Sequence, residues 1–507
     1  MSEVKKLAGQ TIWYGTSAVA AKMLNALMTP LLTYFLVNPG EVIQYGSIGL
    51  IYSYFALLNV IFTYGMETAY FRFCSLERTN SRNIYNTAFG SLIISTLLLC
   101  ATMYFFRQPV ADFIVLSDHV NYINLAIGIL FFDTLQTIPF ARLRQEQKPR
   151  KYAFIKVFGI VINILGVFFF LVIMPKLIAA SPDGFWAGIS RKYDIVSLVL
   201  FANLLQSIFT FLALFAEWKQ FRFKFEPGLW QRMFGYASPM IFIGLAGVAN
   251  EVIDRQMLIW YIDNTEEYAK TIQSIYSASY KVSIVVTMFI TAFRMAAEPF
   301  FFSRAQDKSA PDLYAKVMKW FVITVCLAFL TTALFLEDIW INYLGKAYHS
   351  GLYIVPVLLF ANVLSGIYYN LSTWYKVTNK MRIGVAITMF GAAITLAGNY
   401  FFIPKYEMWA AAWTTLACYA SMVVVCYLVG QRYFPVPYPV KRIAVYLVSI
   451  VVLYFVQHKI GELYSGPDHV LIRIASGCVL FGLFCLLVLR LERSELKTMP
   501  LIGKFLK

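Results

Sequence analysis

The sequence has few charged residues and no arrangement of residues for metal or disulfide chemistry. Asp, Glu, Lys and Arg make up 14% of the 507 residues, whereas a soluble domain has about 25%. The four histidines are scattered, and none of the seven cysteines stands in a C-x-x-C pair, which argues against a zinc site and a disulfide framework. We therefore expect no metal and no cofactor. The absence of a G-x-x-x-x-G-K-[ST] phosphate loop also argues against a pump with its own ATPase.

Apolar residues are what the chain has in abundance. They make up 59% of it, with 44 Phe and 33 Tyr, and the mean hydropathy is +0.64. A spanning helix needs about 20 mostly apolar residues, and aromatic residues concentrate at the two membrane interfaces. The composition predicts an all-α polytopic membrane protein without a soluble domain.

About fourteen segments have the length and hydropathy of a spanning helix. Their approximate limits are 10–36, 43–67, 84–106, 119–141, 153–175, 193–215, 233–260, 272–300, 315–337, 352–374, 383–403, 409–429, 441–457 and 470–490. Lys and Arg concentrate in alternate loops, which places those loops and both chain termini in the cytoplasm. The same pattern accounts for the net charge of +16, so we expect no nucleic-acid partner.

The chain repeats weakly, and the repeat predicts two lobes. Residues 15–25 match 244–254 in spacing, and "METAYFRF" (66–73) matches "MAAEPFFF" (295–302) at the same offset. An even number of helices per repeat gives a parallel repeat with the binding site between its halves. We predict two pseudo-symmetric six-helix lobes and two extra helices with a cytoplasmic tail, over residues 1–225, 226–432 and 433–507.

Several charges lie inside the predicted spans, where an ion costs several kcal/mol unless it is paired or faces water. Helix 7 carries Glu251, Asp254 and Arg255, and helix 8 carries Lys281 at a similar depth. We predict Arg255 and Lys281 as substrate-binding residues, and Glu251 and Asp254 as cavity or ion-coupling carboxylates. The alternative is a salt bridge that packs helix 7 on helix 8. If Asp254 pairs with Arg255, however, Lys281 is left without an anion.

Polar residues also occur in helices 1 and 4. Lys22 lies near the middle of the predicted helix 1, and Asn25 follows almost one turn later. We expect both to face an aqueous cavity and to bind substrate. Asp133, near the middle of helix 4, is interpreted either as the ionic partner of Lys22 or as a proton site.

Four charged residues occupy matching positions of the repeat at the inner ends of helices 2 and 8. They are interpreted as an inner gate or as anchors at the membrane interface: Glu67, Arg72, Arg294 and Glu298.

Taken together, the cationic side chains within the spans suit an anionic cargo, since Arg and Lys pair well with phosphate where the dielectric constant is low.

Two stretches resemble a known family. "KKLAGQTIWYGTSAVAAKMLNALMTPLLTYFL" (5–36), and "DRQMLIWYI" (254–262) with "IYSASYKVSIVVTMFITAFRMAAEPFFFSRA" (275–305), look like the polysaccharide-transport, Wzx-type flippases. These belong to the multidrug/oligosaccharidyl-lipid/polysaccharide exporter superfamily. By matching position, the resemblance carries over Asp254, Arg255 and Lys281. Lys22 corresponds more loosely to a basic residue of the related lipid II flippases.

The resemblance implies a V-shaped bundle of fourteen helices that works by alternating access. It also implies a cargo of undecaprenyl-pyrophosphate-linked oligosaccharide, such as an O-antigen or capsule repeat unit. The cargo would move from the inner to the outer leaflet of a bacterial plasma (inner) membrane, through a cationic lumen and often with an ion gradient. The expected partners are this lipid-linked oligosaccharide, membrane lipids and a glycan polymerase or glycosyltransferase complex, and the coupling ion would be H+ or Na+.

Other functions stay open beside this one. A lipid II flippase would use the same fold and the same head-group chemistry. A multidrug/cation antiporter favours an acidic cavity, against which the deep Lys22 and Lys281 argue. A membrane enzyme such as an O-antigen polymerase or ligase needs a sizeable outer loop with Arg or His, and the outer loops here are short. A scaffold in a glycan-synthesis complex would leave the charges within the spans without a role.

Overall fold

A computed structural model describes residues 20, 22–24, 26–76, 80–304, 309–378, 380–463 and 469–497, with the side chains of 39, 75, 295–300, 302–304 and 469 excepted. Within these ranges every regular element is a helix, which confirms the predicted all-α class. The first part of the first predicted span, 10–36, lies outside the described residues, and from the rest the structure describes α1 (26–35).

The first half of the chain continues with ten more α-helices and one π-helical stretch. They are α2 (Pro39–Thr63), α3 (Met66–Leu76), α4 (Ser81–Phe105), α5 (Arg107–Phe113), α6 (Val120–Gln145), α7 (Pro149–Phe168), the π-helix Phe169–Ile173, α8 (Met174–Ala180), α9 (Phe185–Lys192), α10 (Ile195–Ala213) and α11 (Phe215–Trp218). Within this half, α10 packs on α6 and α7, and α4 packs on α6.

The second half begins with the long helix α12. Its elements are α12 (Pro227–Tyr261), α13 (Glu266–Val282), α14 (Ile284–Arg304), α15 (Ala310–Ala333), the 3-10 helices Trp340–Tyr343 and Lys346–Ile354, α16 (Val355–Leu371), α17 (Thr373–Val377), α18 (Met381–Tyr433), α19 (Val440–Leu463), α20 (His469–Leu491) and α21 (Arg493–Leu496). Helix α18 packs on α12 and α16, while α19 packs on α15 and α20.

Among the described residues, eleven helices are long and apolar enough to cross a membrane, or twelve if one bent pair forms a single span. One of them, α18, has 53 residues and is broken at Glu407, where φ is +48°. This break falls between the predicted segments 383–403 and 409–429. The Cys418 thiol donates to the Gly391 carbonyl at 3.4 Å, so the parts of α18 before and after Glu407 fold back on each other as two helices. The total of fourteen stays a prediction.

The break in α18 has a cause in the sequence. Pro404 lies inside the helix, where its ring removes one backbone hydrogen bond and displaces the preceding turn. Three residues later, Glu407 takes up the left-handed conformation, and its carboxylate accepts a 3.1 Å hydrogen bond from the Tyr268 hydroxyl of α13. Pro404 and the non-helical Glu407 therefore separate two helices within α18.

The predicted eighth span, 272–300, is helical in the structure but bent. Helices α13 and α14 meet at Ser283 with a bend of 52°. The Ser283 backbone N–H and hydroxyl both bond to the carbonyl of Tyr280, at 3.2 and 2.7 Å, and Asn362 of α16 donates to the same hydroxyl at 3.0 Å. A serine that bonds its own backbone competes with the regular ladder and bends a helix. The bend places Lys281 in the last turn of α13.

Helix α12 joins the two halves of the bundle. At the end of the bundle that bears the Lys/Arg-rich loops, called the basic end below, Met233 and Ala237 pack with Tyr64 and Tyr70 of the first half. Gly65 has φ of +72°, and a Cβ there would lie 3.0 Å from the Ala237 carbonyl oxygen, so only glycine suits this approach. Further along, α12 packs on α18 and α13.

The two halves also meet at the opposite end, where the chain after α15 lies against α1. The hydroxyls of Tyr343 and Tyr348 donate to the carbonyls of Ala26 and Leu36 at 2.7 and 2.8 Å. A Cβ at Gly345 would lie 2.0 Å from the backbone carbonyl oxygen of Thr33. Together with the packing of α13 on α2, these contacts close the bundle at this end.

Candidate substrate-binding cavity

A cavity of about 330 Å³ lies between the two halves, below this closure. It is lined from the first half by α1, α2, α7 and α10, and from the second half by α12 and α13. Its wall is largely neutral, with polar side chains from Thr29, Tyr52, Ser53, Asn163, Asn203, Gln206 and Ser277. The charged residues among those that line it are Arg255 and Lys281, so that the described wall of this central cavity carries positive charge only.

Arg255 and Asp254 form a buried ion pair. The guanidinium Nη1 lies 2.8 Å from Asp254 Oδ1, and the two side chains are 7% and 2% exposed. The same Nη1 donates to the Glu251 carbonyl, and the Tyr276 hydroxyl donates to Asp254 Oδ2. The guanidinium also lies 4.5 Å from the centre of the Tyr280 ring. Asp254 thus has its charge balanced within α12, and the hydrogen bond from Tyr276 links it to α13.

Lys281 is the second cation of the cavity wall, and the pairing of Asp254 with Arg255 leaves it without a carboxylate partner. Its side chain is exposed to the central cavity, and within the described part of the chain it has no hydrogen bond or ion pair. The charged groups that act on it are Arg255 and Lys22, both positive. An ammonium group at this depth has lost most of its water and requires an anion, so the cavity lacks one negative charge.

Lys22 belongs to a second group of charges around Glu251. Its Nζ donates to the Thr287 carbonyl at 3.2 Å, and Glu251 interacts electrostatically with Lys22, Arg294 and Arg255. The structure therefore places Glu251, not Asp133, beside Lys22. Asn25 lies outside the described residues.

Asp133 lies within the first half of the bundle. Its Oδ1 accepts a 2.7 Å hydrogen bond from the Ser207 hydroxyl of α10 and a weaker one, 3.5 Å, from Gln136. The cation that acts on it is Lys156 of α7, whose ammonium lies 4.3 Å from the centre of the Phe140 ring. Lys156 is thus a neighbour of Asp133.

Three of the four residues interpreted as a gate have described side chains, and these lie in separate contacts. Glu67 pairs with Arg144 at the end of α6, and Arg72 lies 4.0 Å over the Tyr236 ring of α12. Arg294 lies 4.3 Å over the ring of Tyr369 in α16. The side chain of Glu298 lies outside the described residues. Arg72 therefore connects the two halves at the basic end, whereas Arg294 belongs to the group around Glu251.

Sequence reasoning missed several residues that complete the site. Tyr369 shares a hydrogen bond with Glu251, and Asn163 and Asn203 bring amide groups into the cavity near the Tyr52 hydroxyl. An asparagine within an apolar segment is a signal that could have found the last two, since a polar side chain there needs a partner. Nothing in the sequence distinguishes Tyr369 from the many tyrosines that only pack.

This all-helical fold, with a polar cavity between two halves, is that of a multi-pass membrane transporter. The structure resembles "Lipid II flippase MurJ, inward closed conformation" with a TM-score of 0.71 and 14% identity, over 94% of this chain and 99% of that one. It resembles an inward-facing and an outward-facing multidrug resistance MATE family transporter of the MOP superfamily, with TM-scores of 0.60 and 0.56. Their identities are 13% and 12%, over 87% of this chain and 98% and 96% of theirs. At such identities the likeness shows the fold alone.

The family is defined by the sequence. The polysaccharide biosynthesis protein family matches residues 7–305, more than half of the chain, and the chain belongs to that family. No curated protein matches it significantly. Family and fold together confirm the predicted resemblance: the chain is a member of the polysaccharide biosynthesis protein family, and it has the fold of the lipid II flippase MurJ and of MATE transporters of the MOP superfamily.

Proposed function

We propose that the protein moves an undecaprenyl-pyrophosphate-linked oligosaccharide, an O-antigen or capsule repeat unit, from the inner to the outer leaflet of a bacterial plasma membrane. The observation that carries this proposal is Lys281, an ammonium without an anion in a cavity between the two halves. A pyrophosphate supplies the missing negative charge, and the neighbouring Arg255 adds a second cation. The lipid tail stays in the bilayer while the sugars occupy the polar part of the cavity.

The closed end supports a direction for the movement. The contacts of Tyr343 and Tyr348 with α1 shut the cavity at the end with few Lys and Arg residues, which the positive-inside rule places outside. In alternating access, separation of the contacts between α12 and the first half at the basic end admits the substrate from the cytoplasmic side, and separation of the Tyr343 and Tyr348 contacts opens the outer side. We propose alternating access on this basis, with H+ or Na+ coupling through Asp133 or Glu251.

A lipid II flippase is the second candidate. The similarity to the lipid II flippase MurJ extends over 94% of this chain, and lipid II bears the same pyrophosphate on the same kind of lipid. The two candidates differ in the sugar that the cavity accepts. A multidrug/cation antiporter is less well supported, since the described cavity wall has no carboxylate to bind a cation.

The first experiment replaces the ammonium that has no partner. In a strain deleted for its oligosaccharide flippase, the Lys281→Ala variant should lose surface glycan and accumulate the lipid-linked intermediate, at normal protein level. A charge-assisted hydrogen bond contributes about 1.5–3 kcal/mol, which corresponds to roughly 10- to 150-fold weaker binding. Lys281→Arg should keep part of the export because it keeps the charge.

The matched control is Lys346→Ala, an exposed lysine at the closed end, which should export normally. Normal export by Lys281→Ala would overturn the cationic site. Rescue of growth in cells depleted of their own lipid II flippase, without restored glycan export, would instead assign lipid II as the cargo.

A further inference from the structure

A second cavity lies at the basic end, away from the central one. It measures about 520 Å³ and is enclosed by the start of α4, the end of α6 and the segment that follows α11. Four cationic side chains line it, together with one carboxylate: Arg82, Arg142, Lys219, Arg222 and Glu146. We refer to it as the basic pocket. Lys and Arg are expected in the loops at this end, but these four converge on one concave surface.

The one carboxylate of the basic pocket is already engaged. Glu146 Oε1 lies 2.6 Å from Arg142 Nε, and Glu146 Oε2 lies 2.6 Å from Lys148 Nζ. Arg82, Lys219 and Arg222 make no ion pair within the described residues. The pocket therefore presents three cations whose charge no described carboxylate balances, and a pocket of this charge attracts an anion.

The walls of the basic pocket are held in place by contacts between elements distant in sequence. Arg142 donates to Gln220 Oε1 at 2.6 Å, and its guanidinium lies 4.6 Å from the centre of the Tyr85 ring. The backbone N–H of Arg222 donates to Asn86 Oδ1 at 3.1 Å. These bonds fix the segment after α11 against α4 and α6, so the cationic side chains are anchored on a preformed site.

We propose that the basic pocket binds a phosphate group. Arginine offers planar pairs of N–H donors that match phosphate oxygens, and three of the four cationic side chains around the site are arginines. The pocket lies at the start of α4 and the end of α6, both candidate spans, and the positive-inside rule places this end at the cytoplasmic surface of the membrane. Anionic lipid head groups are concentrated at that level. The same phosphate chemistry is offered by soluble phosphorylated compounds, and binding experiments distinguish the two sources.

The test uses the purified full chain in detergent and the Arg82→Gln/Arg222→Gln variant. Both side chains are exposed, so their loss leaves the fold intact. The control variant, Arg432→Gln/Lys441→Gln, removes the same charge from exposed positions on α18 and α19 at the same end. The thermal midpoint is measured during titration with phosphatidylglycerol, with phosphatidylcholine, and with inorganic pyrophosphate. Every titration is repeated in a Lys281→Ala background, which removes anion binding at the central cavity.

Phosphatidylglycerol, but not phosphatidylcholine, should stabilise the native chain and the control variant. The pocket variant should bind it more weakly, by about tenfold for each arginine removed. If pyrophosphate produces this pattern and phosphatidylglycerol does not, the phosphate comes from a soluble compound and the site stands.

Two results would overturn the proposal. One is equal loss in the pocket and control variants, which would indicate attraction by the total charge. The other is binding that disappears with Lys281→Ala alone, which would assign the anion to the central cavity. A variant that keeps charge but not the planar donors, Arg82→Lys/Arg222→Lys, should fall between the native chain and the Gln variant.

Discussion

The buried ion pair between Asp254 and Arg255 predicts a large coupling energy between these residues in the free energy of unfolding. Asp254→Asn removes the carboxylate that faces Nη1 at 2.8 Å and leaves a guanidinium, 7% exposed, without a charged partner. Breaking a buried ion pair on one side costs about 3–5 kcal/mol. Arg255→Met has the same effect from the other side, because Asp254 keeps only its bonds from Tyr276 and the backbone.

The double variant Asp254→Asn/Arg255→Met leaves neither charge, so its cost should be close to that of one single variant. The coupling energy of the double-mutant cycle is then about 3 kcal/mol, whereas an exposed pair gives under ~1 kcal/mol. The assay is unfolding of the purified protein in mixed micelles by titration with SDS, followed by helical circular dichroism.

Asp263→Asn is the matched control, since Asp263 is an exposed carboxylate in the loop after α12. Its free energy of unfolding should change by less than about 0.5 kcal/mol. A cycle whose single variants simply add, or an Asp254→Asn variant as stable as this control, would refute the view that the pair fastens α12 to α13.

Two further predictions concern the ends of the bundle. Gly345→Ala places a Cβ 2.0 Å from the Thr33 carbonyl oxygen, so it should separate the contacts at the closed end. A cysteine introduced into the central cavity should then react faster with an impermeant maleimide added outside, and an unchanged rate of labelling would contradict this. Burial acts to raise the pKa of Glu146, but hydrogen bonds from Lys148 and Arg142 outweigh it and lower the pKa below its usual 4.5. When the folded-state pKa of a carboxyl group is lowered, its contribution to stability is fully present above the pKa of the unfolded state. This contribution is lost as the pH falls through the folded-state pKa. The thermal midpoint of Glu146→Gln should therefore depend less on pH in this acidic range than that of the native chain, and equal slopes would count against the pair.

The sequence could predict which charged residues have partners because an unpaired charge is costly inside a membrane. A run of apolar residues with Glu251, Asp254 and Arg255 inside it is costly without partners, so the sequence could indicate that partners exist. It could also indicate that Lys281 lies at the depth of Asp254, since helical rise relates residue number to depth. Counting the charges also indicates that Lys281 has no carboxylate partner once Asp254 pairs with Arg255.

What the chain by itself determined is its class: an all-helical, multi-pass protein of the polysaccharide biosynthesis family, with a cationic cluster on helices 7 and 8. The tertiary structure decided which charges meet. Lys22 lies near Glu251 and Asp133 lies near Lys156, and nothing in the spacing distinguishes these pairs from Lys22 with Asp133. The physical reason is that hydropathy sets the depth of each residue, whereas the face on which it lies depends on how helices bend and pack. The bend at Ser283 and the passage of α12 between the two halves are properties of that packing.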